Sequence, residues 1–516
     1  MEKTLPHWQS SPRWPTAVFA GLTALAAVEI ANKLGDAPLK SRLAIFAALA
    51  FPVIAVVTGR LKELLLICWV GSLTYNRQYF SFEFITGNLG TQGPYWILSD
   101  IFLAALLLEW ACEAVLKKQS SPARGMPFWP WYMPLAAMGL VSLLVATRPD
   151  WTLYEMIRTL KFCVILWYVR HRFGVVEWWT AVVAMGVAMV AQSALALKEV
   201  VTGRSGLLGT EVSTSLGGFE DVFSQENFYG MVRGIGTMNH PPNLACYLIL
   251  LIPVFLGLSL TLRSRRLRVG AAAVFLAGCI GLGCTMSRLP WILAVVEAAL
   301  LLVSLVALMD ISWRLALGLT FTSILALIMV MIPLRDKIMD RLTRDFTASV
   351  EQREEGNRVA FAMIEESPWL GVGLNNSKEH MLKYIPEMAW AFENEDFLTR
   401  TMHSRSIAAM GNGYLFVAVE LGIVGTFAYA LYLIGTFVMG LRSIARTSGA
   451  PRAVCLGLVL GTAGMLVEQF IDFSVWVDPL LYTGALVVAM VSLAPSLFPS
   501  ENADPRFAGS PGLRGA

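Results

Sequence analysis

Asn243-Leu-Ala-Cys-Tyr-Leu-Ile-Leu-Leu-Ile-Pro-Val-Phe-Leu-Gly-Leu-Ser-Leu-Thr-Leu262 runs for twenty residues without a charge. As an α-helix rising ~1.5 Å per residue it would measure about 30 Å, the thickness of a bilayer's hydrocarbon core. No face of it is polar, so it does not read as a surface helix of a soluble domain. Runs of the same character lie on both sides. Before it come Pro15–Ala31, Leu43–Thr58, Leu61–Tyr75, Pro94–Leu116, Phe128–Ala146, Leu153–Val169 and Val176–Lys198. After it come Val269–Cys284, Leu289–Met309, Trp313–Leu334, Gly411–Gly440, Ala453–Phe470 and Val475–Ala494. The fold class this implies is an all-α, polytopic transmembrane bundle of about 12–14 spans with a long, partly helical outer-face loop.

Bulk composition agrees. Of 516 residues 56% are hydrophobic and 15% charged, with a mean hydropathy of +0.60. Soluble chains carry roughly 25% charged residues. A net charge of +3 spread along the chain gives no footprint for nucleic acid. The polar head Met1–Arg13 passes straight into the first apolar run, so no cleavable signal peptide is expected. All seven cysteines fall in or at the ends of apolar runs without metal-ligand spacing, and read as packing residues.

Lysine and arginine set the orientation. With the N-terminus inside, the cytoplasmic loops hold Arg60, Lys62, Lys117, Lys118, Arg124, Arg170, Arg172, the Arg263–Arg268 group, Arg314, Arg442, Arg446 and Arg452. The opposite short loops hold far fewer. Four segments follow: N-terminal transmembrane helices over 1–200, transmembrane helices carrying the arginine motifs over 201–334, a large outer loop over 335–410, and C-terminal helices with a tail over 411–516. The loop has ten basic and thirteen acidic residues, and the apolar spacing of Val350–Glu366 predicts a helix on the membrane surface.

Two outer-face segments carry candidate chemistry. Arg233-Gly-Ile-Gly-Thr-Met-Asn-His-Pro-Pro-Asn243 leads into an apolar helix, with Thr237 and Asn239 as cap-type residues and a proline suited to the first helical position. A helix N-terminus beside an arginine can bind an anion such as phosphate. The same residues also fit a capped helix next to a snorkelling interfacial arginine. Ser287-Arg288-Leu289-Pro290 repeats the arrangement, and its bland reading is an ordinary outer-loop arginine. Two such sites on one face point toward a shared anion, for which the planar guanidinium fork is better suited than lysine.

These segments and their neighbours resemble the O-antigen ligase and polymerase family. The carriers are Arg-x-x-Gly-Thr-x-x-His-Pro…Asn-x-Ala-x-Tyr-Leu (Arg233 to Leu248) and Thr285-Met-Ser-Arg288. With them stand Ala362-Met-Ile-Glu-Glu-Ser-Pro-Trp-Leu-Gly-Val-Gly-Leu-Asn-Asn376 and Asn412-Gly-Tyr-Leu…Glu420-Leu-Gly-Ile-Val-Gly425. Together they cover roughly Arg233 to Gly440. The resemblance implies a multi-pass glycosyltransferase of the bacterial inner membrane, acting at its periplasmic face. Its implied partners are an undecaprenyl-diphosphate-linked glycan and a glycan, lipid or protein acceptor, with no metal and no cofactor. It implies Arg233 and Arg288 as diphosphate ligands. Asn239 and His240 beside them, and the intramembrane Arg158, complete the candidate set, although Arg158 also fits an ion pair with Glu155 or Asp100.

One position departs from the family. Its histidine, the presumed base, is matched by Gly411 here. His403 is the catalytic candidate in its place, with His380, Glu395 and Asp396 as alternatives and a solvated loop histidine as the plain reading. Glu29, Glu109, Glu297, Glu420 and Glu468 read as interior structural partners, Glu420 being the one that sits in a family motif. Two other readings stay open: a membrane transporter of the inorganic-carbon type, and a non-catalytic member that binds lipid-linked glycan.

Overall fold

A computed structural model describes residues 59–76, 79–80, 84–85, 91–92, 95–117, 125–203, 232–238, 240–309, 311–314, 318, 332, 335, 339, 347–381, 383–384, 412–472 and 474–500. The expected spans Pro15–Ala31 and Leu43–Thr58, and most of Trp313–Leu334, lie outside them. The chain divides into two compact units, one of Met1–Trp69 with Asp100–Gln119 and one of Val70–Ser99 with Ser120–Ala516. Helices α1 (Leu61–Ser72) and α2 (Leu98–Lys117) contribute most of the described part of the first. Between them two short antiparallel pairs form, β1 (Tyr79–Phe80) with β4 (Tyr95–Trp96) and β2 (Phe84–Ile85) with β3 (Thr91–Gln92).

The second unit contains α3 (Trp129–Ser142), α4 (Pro149–Arg172), α5 (Val175–Thr202), α6 (Pro241–Thr261), α7 (Arg265–Thr285) and α8 (Arg288–Met309). It continues with α9 (Thr347–Glu366), α10 (Ser377–Met381), α11 (Gly413–Arg446), α12 (Gly449–Glu468) and α13 (Asp478–Leu497). Seven helices among the described residues are long and apolar enough to cross a membrane: α5, α6, α7, α8, α11, α12 and α13. The protein is therefore a polytopic helical bundle, as its hydropathy pattern requires. The expected span Phe128–Ala146 forms only the 14 residues of α3, about 21 Å and short of a full crossing. Helix α9 forms over the stretch where apolar spacing predicts one.

The uncharged stretch from Asn243 falls in α6, the centre of the bundle. It packs against α5, α7, α8 and α12, and 94% of its apolar window is buried. A helix apolar on every side suits a place walled by other helices. Helix α12 approaches it closely through small residues: a Cβ at Gly461 would fall 2.3 Å from the Leu250 carbonyl oxygen. Helix α8 is more apolar still, yet only 22% of its window is buried. Its inward stripe, Leu293, Glu297, Leu301 and Leu305, recurs every four residues, while Ile292, Val295 and Val303 face outward.

Helix α11 is broken at Gly422, whose φ of 66° and ψ of −170° leave the helical region. The 24 residues after the break would extend about 36 Å and suffice to cross the bilayer. Gly413–Leu421 is thus a separate segment beyond the crossing. The turns α7–α8 and α12–α13, the start of α6 and this segment gather at one end of the bundle, joined by bonds such as Gly234 N–H to Cys284 O (2.9 Å) and Gly413 N–H to Gln469 O (2.8 Å).

Candidate functional site

The stretch 232–238 is laid across the end of α5 and onto the α7–α8 turn by groups that leave its backbone little freedom. One Glu199 carboxylate oxygen accepts the N–H groups of Ile235 (2.8 Å) and Gly236 (2.9 Å). Gln192, seven residues earlier and on the same helix face, accepts the Thr237 N–H (2.9 Å) and donates to the hydroxyls of Thr237 and Thr74. Gly236 sits at φ 57°, and a Cβ there would fall 2.2 Å from the Gln192 side-chain oxygen, so glycine is required twice over.

This anchoring delivers Arg233 to the turn that carries Arg288. Arg233 Nε donates to the Thr285 carbonyl (2.8 Å) and Nη2 to the Ser287 hydroxyl (3.0 Å). The residue next to Arg288 is therefore in direct contact with Arg233, and both cations border one corner of the bundle end. Thr285 is fully buried and Ser287 nearly so. Two fixed donors set the orientation of the planar guanidinium.

The start of α6 differs from the expectation. His240 is the N-cap in extended backbone, with no capping bond from its side chain, and Pro241 and Pro242 open the helix. Thr237 is spent on Gln192 and on the Thr74 carbonyl and so caps nothing. Asn239 lies outside the described residues. Two prolines remove two of the N–H donors that a helix start would offer an anion. The positive character here comes from the arginines more than from the helix end.

Charges on three further elements act on His240. Its ring is pushed below the ordinary histidine range, first by burial, then by the charges of Arg233 and of Arg353 from α9, against the opposing pull of Asp472 in the α12–α13 turn. Asp472 is itself fixed, its N–H on Glu468 O (3.0 Å) and its Oδ1 accepting the Ser474 hydroxyl (3.0 Å). Sequence reasoning passed over Arg353, Asp472, Gln192 and Glu199. The last two had a signal, polar residues seven apart in a largely apolar helix; Asp472 and Arg353 had none.

Other candidates go elsewhere. Arg158 donates to Asp478 (2.7 Å), to Glu155 (2.8 Å) and to the Trp476 carbonyl, so its charge already faces two carboxylates and ties α4 to α13. Of the two alternatives for its ion pair, Glu155 or Asp100, Glu155 is a partner, and Asp478 is an added one that was not expected. His403, Glu395, Asp396 and Gly411 lie outside the described residues, while His380 lies in α10, near Glu366. Glu297 is buried against Gly464, where a Cβ would fall 1.7 Å from its Oε1. Neither of its oxygens has a hydrogen-bond partner in the protein among the described residues.

The Pro368–Asn376 motif is a clip. Val372 and Gly373 donate to the Val419 and Glu420 carbonyls (2.9 and 3.0 Å), and Ile423 and Val424 donate back to Pro368 and Trp369 (2.8 and 3.3 Å). The break at Gly422 frees these backbone groups, and the loop satisfies them. Gly371, at φ 71°, lies so close that a Cβ would fall 2.5 Å from Glu420's carbonyl carbon. Asn376 then accepts the Arg148 N–H (2.7 Å) and donates to Thr152 (2.9 Å) and Leu374 O (2.7 Å), while Ser377 donates to Glu420 (2.8 Å).

Residues 271–430 match the family model described as O-Antigen ligase. The match runs from α7 to the middle of α11, taking in Arg288, α9, the clip and Glu420, and begins downstream of Arg233 and His240. No curated protein matches the chain.

Proposed function

We propose, from the premise that this chain belongs to the O-antigen ligase family through residues 271–430, that it is a membrane glycosyltransferase. On this reading it moves a glycan from undecaprenyl diphosphate to an acceptor. The observation that carries the reading is Arg233 seated on the Ser287 hydroxyl, beside Arg288. Breaking the bond from the sugar's C1 to the carrier leaves an added negative charge on the diphosphate. Two guanidinium groups held ready at that point stabilise the charge as it develops. The break in α11 also supports an enzyme over a transporter, because it lies at the end of a full-length crossing instead of mid-bilayer.

On this reading the arginine corner faces the periplasm. Support comes from the far end of the bundle, where Arg170, Arg172, Arg263, Arg265, Arg266, Arg268, Arg314, Arg442, Arg446 and Arg452 gather, as the positive-inside rule asks of a cytoplasmic face. A cysteine introduced at 365 in a cysteine-free background should then react with a membrane-impermeant thiol reagent in intact spheroplasts. Labelling only after lysis would reverse the orientation.

The activity test uses the full-length protein in nanodiscs, given undecaprenyl-diphosphate-linked glycan extracted from the host's membranes and the host's acceptor fractions. Release of undecaprenyl diphosphate is the readout. Turnover by the natural protein that is lost in Arg233→Ala, and only partly kept in Arg233→Lys, supports the reading. Donor binding without turnover would make the protein a non-catalytic binder.

A further inference from the structure

We propose that Glu297 is a proton-binding site inside the membrane, and that Glu468 on the facing helix is its exchange partner toward the arginine end of the bundle. Glu297 lies nine residues into α8, about 14 Å along its axis, and so within the interior of the span. It shares the inward stripe with Leu293, Leu301 and Leu305 and is 3% exposed. Its carboxyl has a fitted place on α12. A Cβ at Gly464 would fall 1.7 Å from Oε1 and 2.9 Å from Cδ, so only glycine leaves room for it.

Neither carboxyl oxygen has a hydrogen-bond partner in the protein among the described residues, and no basic side chain among them acts on it. The helices packed against α8 are α6, α12 and, more lightly, α7. The titratable groups that α6 and α12 bring to this region are the Cys246 thiol and Glu468, and Cys246 lies within electrostatic reach of both Glu297 and Glu468. An ionised carboxylate with neither donor nor counter-charge is strongly disfavoured in such surroundings. The neutral acid fits, so the niche selects the protonated form.

The way out follows α12. Glu468 comes four residues after Gly464 and on the same helix face. It is 4% exposed, and its Oε2 also lacks a protein partner among the described residues. Asp472 follows by another four. Its N–H bonds the Glu468 carbonyl at 3.0 Å, so the helical register persists into the α12–α13 turn. Gly464, Glu468 and Asp472 therefore stand in one file at steps of about 6 Å, from the Glu297 niche to the end of the bundle. Arg353 of α9 acts on Glu468 as well. In the exchange Glu297 gives up its proton and becomes a carboxylate, Glu468 takes the proton and passes it by way of Asp472 to water, and the reverse restores the acid. The proposal does not depend on the transferase reading.

The test uses the full-length protein in nanodiscs and reads no turnover. Dicyclohexylcarbodiimide is an apolar reagent that adds to neutral carboxylic acids and leaves a stable N-acylurea, which mass spectrometry of peptides locates. Glu297 should be labelled at neutral pH, and Glu297→Gln, which keeps the shape of the side chain, should lose that label. With rising pH the labelling rate should fall, reaching about tenfold for each further pH unit, as the neutral fraction of one titrating acid does. A rate indifferent to pH would make Glu297 a fixed structural acid and overturn the proposal. Protection by sodium or potassium at constant pH would overturn it too, by making a metal cation the occupant. Infrared difference spectra between acid and alkaline pH decide the matter if the reagent does not enter the niche. A neutral-carboxyl C=O band should disappear on raising the pH and be missing from Glu297→Gln; the same band in that variant, or no such band in the natural protein, sinks the site. After a pH jump Glu468→Gln should slow the loss of the band by ~100-fold, the lower end of what a positioned proton-transfer group supplies. An unchanged rate there would overturn the exchange route.

Discussion

Two glycine-rich loops lie at the same end of this bundle and look alike as sequence, Arg233-Gly-Ile-Gly-Thr237 and Pro368-Trp-Leu-Gly-Val-Gly373. In the first, the backbone is held from below by Glu199 and Gln192, and the bonds end in an arginine set against the α7–α8 turn. In the second, almost every polar group is consumed by the broken segment of α11 and by the α3–α4 turn. One loop presents charge; the other repairs a helix. A motif shared with a family can therefore be an address for ligand or a joint in the scaffold, and only the destination of its hydrogen bonds separates the two.

The contrast can be broken most directly at Arg233. Replacing it by Ala should cut transfer by at least ~100-fold, the loss typical when one pre-organised charge donor is removed. The cost to stability should stay small beside that, about 1–2 kcal/mol for the bonds to the buried Thr285 carbonyl and the Ser287 hydroxyl. A variant that unfolds instead would make Arg233 a structural residue and erase the distinction between the loops.

The opposite pattern is expected at Gly371. Alanine there must adopt φ 71° and meet the Glu420 backbone at 2.5 Å, a strain of about 3 kcal/mol. Denaturation in mixed detergent should show that loss, and the residual folded fraction should bind donor normally. Asn376→Ala should weaken the clip by about 2 kcal/mol, because the half-buried Arg148 N–H loses this acceptor and the Thr152 hydroxyl loses this donor. An unchanged denaturation midpoint in either variant would remove the clip as a source of stability.

The smallest effect sharpens the first loop. Glu199→Gln keeps the shape and an acceptor oxygen but removes the charge that draws in the Ile235 and Gly236 N–H groups. Charge-assisted bonds exceed neutral ones by about 1 kcal/mol, so donor KM should rise roughly fivefold with kcat unchanged. A fall in kcat alone would show that the loop positions chemistry beyond donor binding.

Most of the architecture could be read from the residues. Long uncharged runs have few alternatives to membrane helices, because an unpaired backbone is intolerable in lipid, and seven of those runs are full-length helices among the described residues. Candidate-site reading was partial. Arg233 and Arg288 stood out as arginines in short turns, and their convergence on Ser287 needed the fold. Arg158, equally conspicuous, is matched by Asp478, 320 residues away, a separation that no local pattern reports. Thr237, one of the expected cap-type residues, instead bonds Gln192 of α5.

The sequence by itself determined that α6 and α8 are both membrane helices, since uncharged length is a local property of the chain. It did not determine which one forms the centre of the bundle. Helix α8 has the higher mean hydropathy, 2.7 against 2.3, yet 22% of its window is buried against 94% for α6. Lipid and protein interior are nearly equivalent apolar surroundings, so hydrophobicity cannot choose between them. Packing shape chooses: the small residues of α12 let α6 approach backbone to backbone at Leu250 and Val254. The same holds for the arginine corner, where the residues were visible in the chain and the tertiary structure alone brought Arg233 onto the turn of Arg288.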